Sequence, residues 1–238
     1  MKTQFLRILI TFLALSSLIY SQEQPKSILV DEFGKIYCDD FLARIDYLLS
    51  ELQKRPYSEG FVVINGLKSD IRRNLIYENW IKGHIRFRGF DNSRLMIVRS
   101  ELAEKIRFRL WLVAKGSKTP DFSEAKWDLT LPPNTSSYIF TKTDSQEGLC
   151  PGSEYLSLNT FSEYLKANLS ANGNFVINTY SRRLFNNEKA VIKNILVNKY
   201  NIESRRLRFF YVFDNKYKKD KYYYPRVEVW LVPKKNSR

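Results

Sequence analysis

Histidine and cysteine are nearly missing from this chain of 238 residues: His84 is alone, and Cys38 and Cys150 are the only cysteines. No cluster of His, Cys and carboxylates has metal-ligand spacing, so a metal centre is not expected. Without a Ser or Cys nucleophile motif beside it, His84 reads as a packing or surface residue and not as a general base. A glycine-rich phosphate cradle is also missing, and the carboxylates show no pairing above ordinary scatter. These absences exclude the common hydrolase and nucleotide-dependent classes and leave no catalytic residue or cofactor to nominate.

Long apolar runs are scarce too. The one at the N-terminus, residues 8–15, follows Lys2 and Arg7 and precedes Ser16, Ser17 and Ser21. That pattern predicts a signal peptide over residues 1–21, because the run falls short of the roughly 20 residues that cross a bilayer. No cysteine follows the run directly, which argues against a lipid-anchored lipoprotein. A secreted protein, periplasmic or extracellular, with no integral span after cleavage is expected. In such an oxidising compartment Cys38 and Cys150 are expected to bridge.

What the chain has in excess is positive charge, with 39 Lys and Arg against 25 Asp and Glu and a formal net charge of +14. An excess of this size favours anionic partners and says nothing about fold.

The most informative feature is a repeat. Residues 94–115 (RLMIVRSELAEKIRFRLWLVAK) return at 206–234, and 107–115 (RFRLWLVAK) aligns without a gap on 226–234 (RVEVWLVPK). Two copies of one unit follow from this, a first repeat over 22–116 and a second over 138–238. The polar segment 117–137 between them contains Pro120, Pro132 and Pro133 and reads as a linker anchored by Trp127 and Leu129.

Within the first repeat, Phe41, Leu42, Ile45, Leu48, Leu49 and Leu52 recur at helical spacing after Asp39 and Asp40, which offer capping oxygens. The run 61–64 (FVVI) reads as a buried strand. Ile71, Leu75, Trp80, Ile81 and Ile85 suggest a second helix with a weaker period, and residues 95–98 and 106–113 are strands. The second repeat runs in parallel, its first helix expected to open on a capping box of Thr160 and Glu163. The fold class expected is α+β, two tandem two-layer β-α-β-α-β-β domains. Two helices cover one side of so small a sheet, so Trp111 and its counterpart Trp230, on the other side, are expected at the contact between domains.

The segment 90–95 (FDNSRL), its counterpart 202–207 (IESRRL), the opening 30–38 (VDEFGKIYC) and Leu110-Trp111-Leu112-Val113 resemble divergent OmpA-like C-terminal domains of secreted bacterial proteins. The resemblance covers nearly all of the chain beyond the signal peptide, as a tandem pair, and implies a cell-envelope-associated interaction module. Typical members hold peptidoglycan through an Asp after the second strand and an Arg in the next helix. Here Asp70 is followed at once by the helix, Ile76 and Glu188 stand where the Arg is expected, and 180–183 (YSRR) lacks an Asp. The resemblance therefore implies at most peptidoglycan binding without the usual Asp/Arg pair.

The repeats differ most in the turn between their last two strands, which in the second copy is 215–226 (NKYKKDKYYYPR). Interleaved lysines and tyrosines suit an anionic polymer such as cell-wall glycan, nucleic acid or lipid headgroups; a solvated hairpin is the plainer reading. Lys216, Lys218, Lys219, Lys221, Tyr222 and Tyr223 are the candidate binding residues. Arg182 and Arg183 join them because, like Arg72-Arg73, they put positive charge at a helix start, against its dipole.

Overall fold

The computed structural model of the protein describes residues 26–143, 155–215 and 225–234. The first unit contains β1 (Ile28–Phe33), α1 (Cys38–Lys54), β2 (Ser58–Leu67), α2 (Ile71–Phe87), β3 (Leu95–Ala103) and β4 (Arg107–Ala114). The second contains β5 (Tyr138–Lys142), α3 (Leu158–Ala167), β6 (Asn172–Thr179), α4 (Arg182–Lys193), β7 (Leu207–Phe213) and β8 (Arg226–Val232). Sheet orders match, β1-β4-β2-β3 and β5-β8-β6-β7. In each, the second and third strands are parallel and the fourth runs antiparallel to its neighbours. Even the irregularity repeats: the register shifts at Leu29/Asp31 in β1 and at Ile139/Thr141 in β5. The fold is α+β, as the sequence led us to expect.

Alternation along the strands divides each sheet into two faces. In the first unit Val62, Ile64, Phe108, Leu110 and Leu112 meet the helices, while Phe61, Val63, Val98 and Val113 form a separate cluster on the other side. Helix α1 buries Phe41, Leu42, Ile45, Leu48, Leu49 and Leu52, each burial contributing roughly 1.5–3 kcal/mol. Asp39 and Asp40 lie in its first turn without making a side-chain cap, where their charge still suits the positive end of the dipole.

Helix α2 has a weak apolar period because it is enclosed on more than one side. Besides Leu75, Ile76 and Ile81, it buries Asn74, Glu78 and His84. Toward the second unit, the Asn79 side-chain amide donates to Thr160 Oγ1 at 2.8 Å, and Arg72 donates to the Phe140 carbonyl at 2.9 Å. Thr160 is therefore not the start of α3, which begins two residues earlier, and Glu163 approaches Arg99 at 3.5 Å instead of closing a capping box. One apolar core runs through both units.

The arginines that recur before β3 and β7 hold the backbone together. Arg94 donates to the carbonyls of Leu52, Arg55 and Ser58 at 2.6–3.1 Å. Arg206 does the same to Leu165, Asn168 and Ala171 at 2.7–2.9 Å. Each guanidinium thus satisfies orphan carbonyls at the end of a helix and ties it to the entry of the next strand.

The linker is built into the first unit. Ala125 N–H donates to the Arg99 carbonyl at 2.9 Å, Glu124 bridges antiparallel to Ser100, and the Trp127 indole donates to the Ser100 carbonyl at 2.9 Å. These contacts occupy the open edge of β3, an edge that would otherwise invite pairing with another chain. Phe122 lies on the outer face, 5.1 Å from the Phe61 ring and 6.2 Å from Trp111. Gly66 permits the approach of Trp127, whose ring would stand 2.9 Å from a Cβ there. Trp111 accordingly sits under the linker, and Trp230 belongs to neither core cluster. For Trp111 the expectation of a place between the domains is corrected: the linker, not the neighbouring unit, supplies its cover.

Candidate binding surface

Strand β7 alternates Leu207, Phe209 and Tyr211 toward the helices with Arg208, Phe210 and Val212 away from them. On the helix side the rings are overlaid by cations of α4. The Arg182 guanidinium lies 4.2 Å from the Tyr211 centroid and Lys189 Nζ lies 5.6 Å from that of Phe209. Phe185 meets Tyr211 edge-on at 5.4 Å. Such stacking is worth roughly 0.5–1 kcal/mol at an exposed site and leaves the charges available at the surface. Arg183 is exposed beside Arg182.

On the other side of the second sheet several apolar side chains are exposed. Phe210 is 46% exposed, Val212 41% and Ile139 42%. Trp230 is half-buried between them and the rest of the face, its indole donating to Glu228 at 3.0 Å. Among the described residues, strand β7 pairs with β6 alone.

Of the residues expected to bind an anion, Arg182 and Arg183 stand at the start of α4. Lys216, Lys218, Lys219, Lys221, Tyr222 and Tyr223 lie outside the described residues, between the Phe213 end of β7 and the Arg226 start of β8. Cys38 is half-buried in the first turn of α1 and is not free; Cys150 lies outside the described residues. The arginine pair in the first unit differs from its counterpart. Arg72 lies against Phe140, and both Arg72 and Arg73 come within 4 Å of Asp70. Asp70 is the cap of α2, accepting from Arg73 N–H at 3.1 Å. Glu188 pairs with the Tyr155 hydroxyl.

The remaining charged clusters are occupied with packing. His84, 3% exposed, shares a 2.7 Å hydrogen bond with Asp46, which also binds Arg88. Burial works to raise the Asp46 carboxyl, but hydrogen bonds from Arg88 and His84 prevail and hold it below its usual value. Buried Glu78 accepts from Arg99 at 2.7 Å and from Lys82 at 2.5 Å; its desolvation is outweighed by these two cations, which depress its pKa. Glu163 moves the other way, raised chiefly by burial. The Glu78–Arg99–Glu163 cluster and Phe122 escaped the sequence reading, since neither a lone carboxylate in a helix nor one aromatic in a polar segment carries a periodic signal.

Among the described residues no three His, Cys, Asp or Glu side chains gather to hold a metal ion, and no helix is long and apolar enough to cross a membrane. Compared with family models, curated proteins and solved structures, the chain finds no match.

Proposed function

We propose that this protein is a secreted, non-enzymatic interaction module of the bacterial cell envelope, built from two divergent OmpA-like domains. The observation that carries the reading is an inequality between two equivalent surfaces. In the first unit the outer sheet face is filled by Phe122 and the β3 edge by residues 124–127; in the second, Phe210 and Val212 remain exposed beside an edge strand that, among the described residues, pairs on one side. Exposed apolar residues grouped on one sheet face are a usual mark of an interaction site. The buried titratable groups support the same reading, since His84, Asp46 and Glu78 are engaged with each other or with Arg and Lys side chains.

The test is a pull-down with the purified chain lacking residues 1–21, against envelope proteins and isolated cell-wall sacculi, at two salt concentrations. Retention of a defined protein at moderate salt supports the module. N-terminal sequencing of the exported product should begin near residue 22. A robust turnover by the purified chain would overturn the non-enzymatic reading.

A second reading, binding of an anionic polymer such as glycan, nucleic acid, lipid headgroups or peptidoglycan without the usual Asp/Arg pair, draws on the Arg182–Tyr211 and Lys189–Phe209 stacks. Retention on sacculi or polyanion that falls steeply with salt, and disappears when Lys218, Lys219 and Lys221 are neutralised, would favour it.

A further inference from the structure

The linker shows what the open surface can take. It is an extended segment whose backbone adds antiparallel to the edge of β3 and whose aromatic ring, Phe122, lands on the outer face. The register of the two sheets carries that arrangement onto the second unit: Gly60 pairs with Leu95 as Gly173 pairs with Leu207, so Arg99 and Ser100 correspond to Tyr211 and Val212. Trp111 corresponds to Trp230, and Val98, buried in the first unit, to Phe210. The counterpart of the face under Phe122 is therefore the surface around Trp230, Val176 and Phe210, with Asn174 standing where Phe61 meets the Phe122 ring.

We infer that the edge of β7 and the adjoining outer face bind an extended acidic segment of another protein that carries an aromatic residue, by strand addition. This rests on the reading of the protein as an interaction module and names the chemistry of its partner. Strand addition draws affinity from main-chain hydrogen bonds and specificity from alternate side chains. The charge around the site selects the sign. Arg208 is exposed on the same face, Arg182 stacks on Tyr211 at the helix side of the strand, and the chain as a whole carries +14. A second copy of so basic a chain would bring like charges together, whereas the linker that fills the first edge has three carboxylates and one lysine over residues 120–129 (PDFSEAKWDL). The internal ligand thus already has the composition expected of the external one.

The probe is a terminally blocked, fluorescently labelled peptide of that sequence, titrated onto the full chain and followed by anisotropy. Saturable binding is expected, weakened by added salt and by at least about tenfold in the double variant Arg208→Glu, Phe210→Asp, since anchor and charge act together. Hydrogen exchange should show new protection in 207–213. Both side chains are exposed, and far-UV circular dichroism checks that the variant is folded. Absence of binding, or binding unchanged in the folded variant, overturns the inference. So does self-association, seen by sedimentation, that the same substitutions abolish, because the face is then covered by a second copy. If the variant retains the same envelope protein as the unaltered chain, strand addition at β7 fails while the module reading stands. If the unaltered chain retains nothing, the module reading itself fails.

Discussion

Arg206 is 9% exposed and its guanidinium spans three backbone carbonyls. Replacing it with Met keeps the stem and removes the donors, leaving those carbonyls to be satisfied some other way. A loss of about 2–4 kcal/mol is expected in urea unfolding, with Arg206→Lys recovering little because an ammonium lacks the planar fork. Arg94→Met should cost less, its side chain being less buried. Glu78 gives a pH signature. Its carboxyl sits below the ordinary 4.5 in the folded protein, so its stabilisation is present above that value and is lost as pH falls through the folded-state pKa. Glu78→Gln should destabilise at pH 7 by about 2–4 kcal/mol, by leaving Arg99 without its main partner, and should flatten the acid limb of the stability curve. Glu163, whose carboxyl is raised by burial, gains stability as pH falls. Its substitution by Gln should make the acid loss steeper.

The linker behaves as an additional element of the first sheet, although it contributes a single bridge. Phe122 is 4% exposed and fills the outer face; Phe122→Ala should cost about 3 kcal/mol and speed proteolysis within 117–126, measured as the rate of the first cleavage. If cleavage there is unchanged, the ring does not hold the segment down. The elements themselves were legible in the sequence because each strand and helix has one buried face: Phe41 to Leu52 at helical spacing, Phe108, Leu110 and Leu112 in alternation. Legibility failed where tertiary contacts reassign a residue. Thr160 and Glu163 look like a capping box and serve the neighbouring unit, α2 loses its period to two-sided burial, and Trp111 is covered by a ring whose own segment shows no pattern. The candidate surface was half legible. Arg182 and Arg183 stood out as charges and residues 207–213 as a strand, but that Phe210 and Val212 stay uncovered depends on the absence of any segment like 121–127 over them among the described residues.

At the scale of the whole molecule the question is whether two copies of one unit unfold as two bodies or one. The apolar core passes from α1 and α2 into α3 and β5 without a break, and it is stitched by Arg72 to the Phe140 carbonyl and Asn79 to Thr160. Separation of the units would return to water the apolar surface that this shared core buries, which disfavours the first unit alone. Tandem repeats joined by such an interface share stability through the nearest-neighbour contact, and a single cooperative transition is expected in urea. The tryptophans make this testable. Trp80, Trp111 and Trp127 belong to the first unit and its linker, and Trp230 alone reports from the second. Fluorescence therefore follows mainly the first unit, while far-UV circular dichroism follows both. Coincident midpoints, shifted together by Asn79→Leu, indicate one body. Separate midpoints, with fluorescence insensitive to changes in β7 or α4, would mean that the interface does not couple the copies and that the second unit could move as a module of its own.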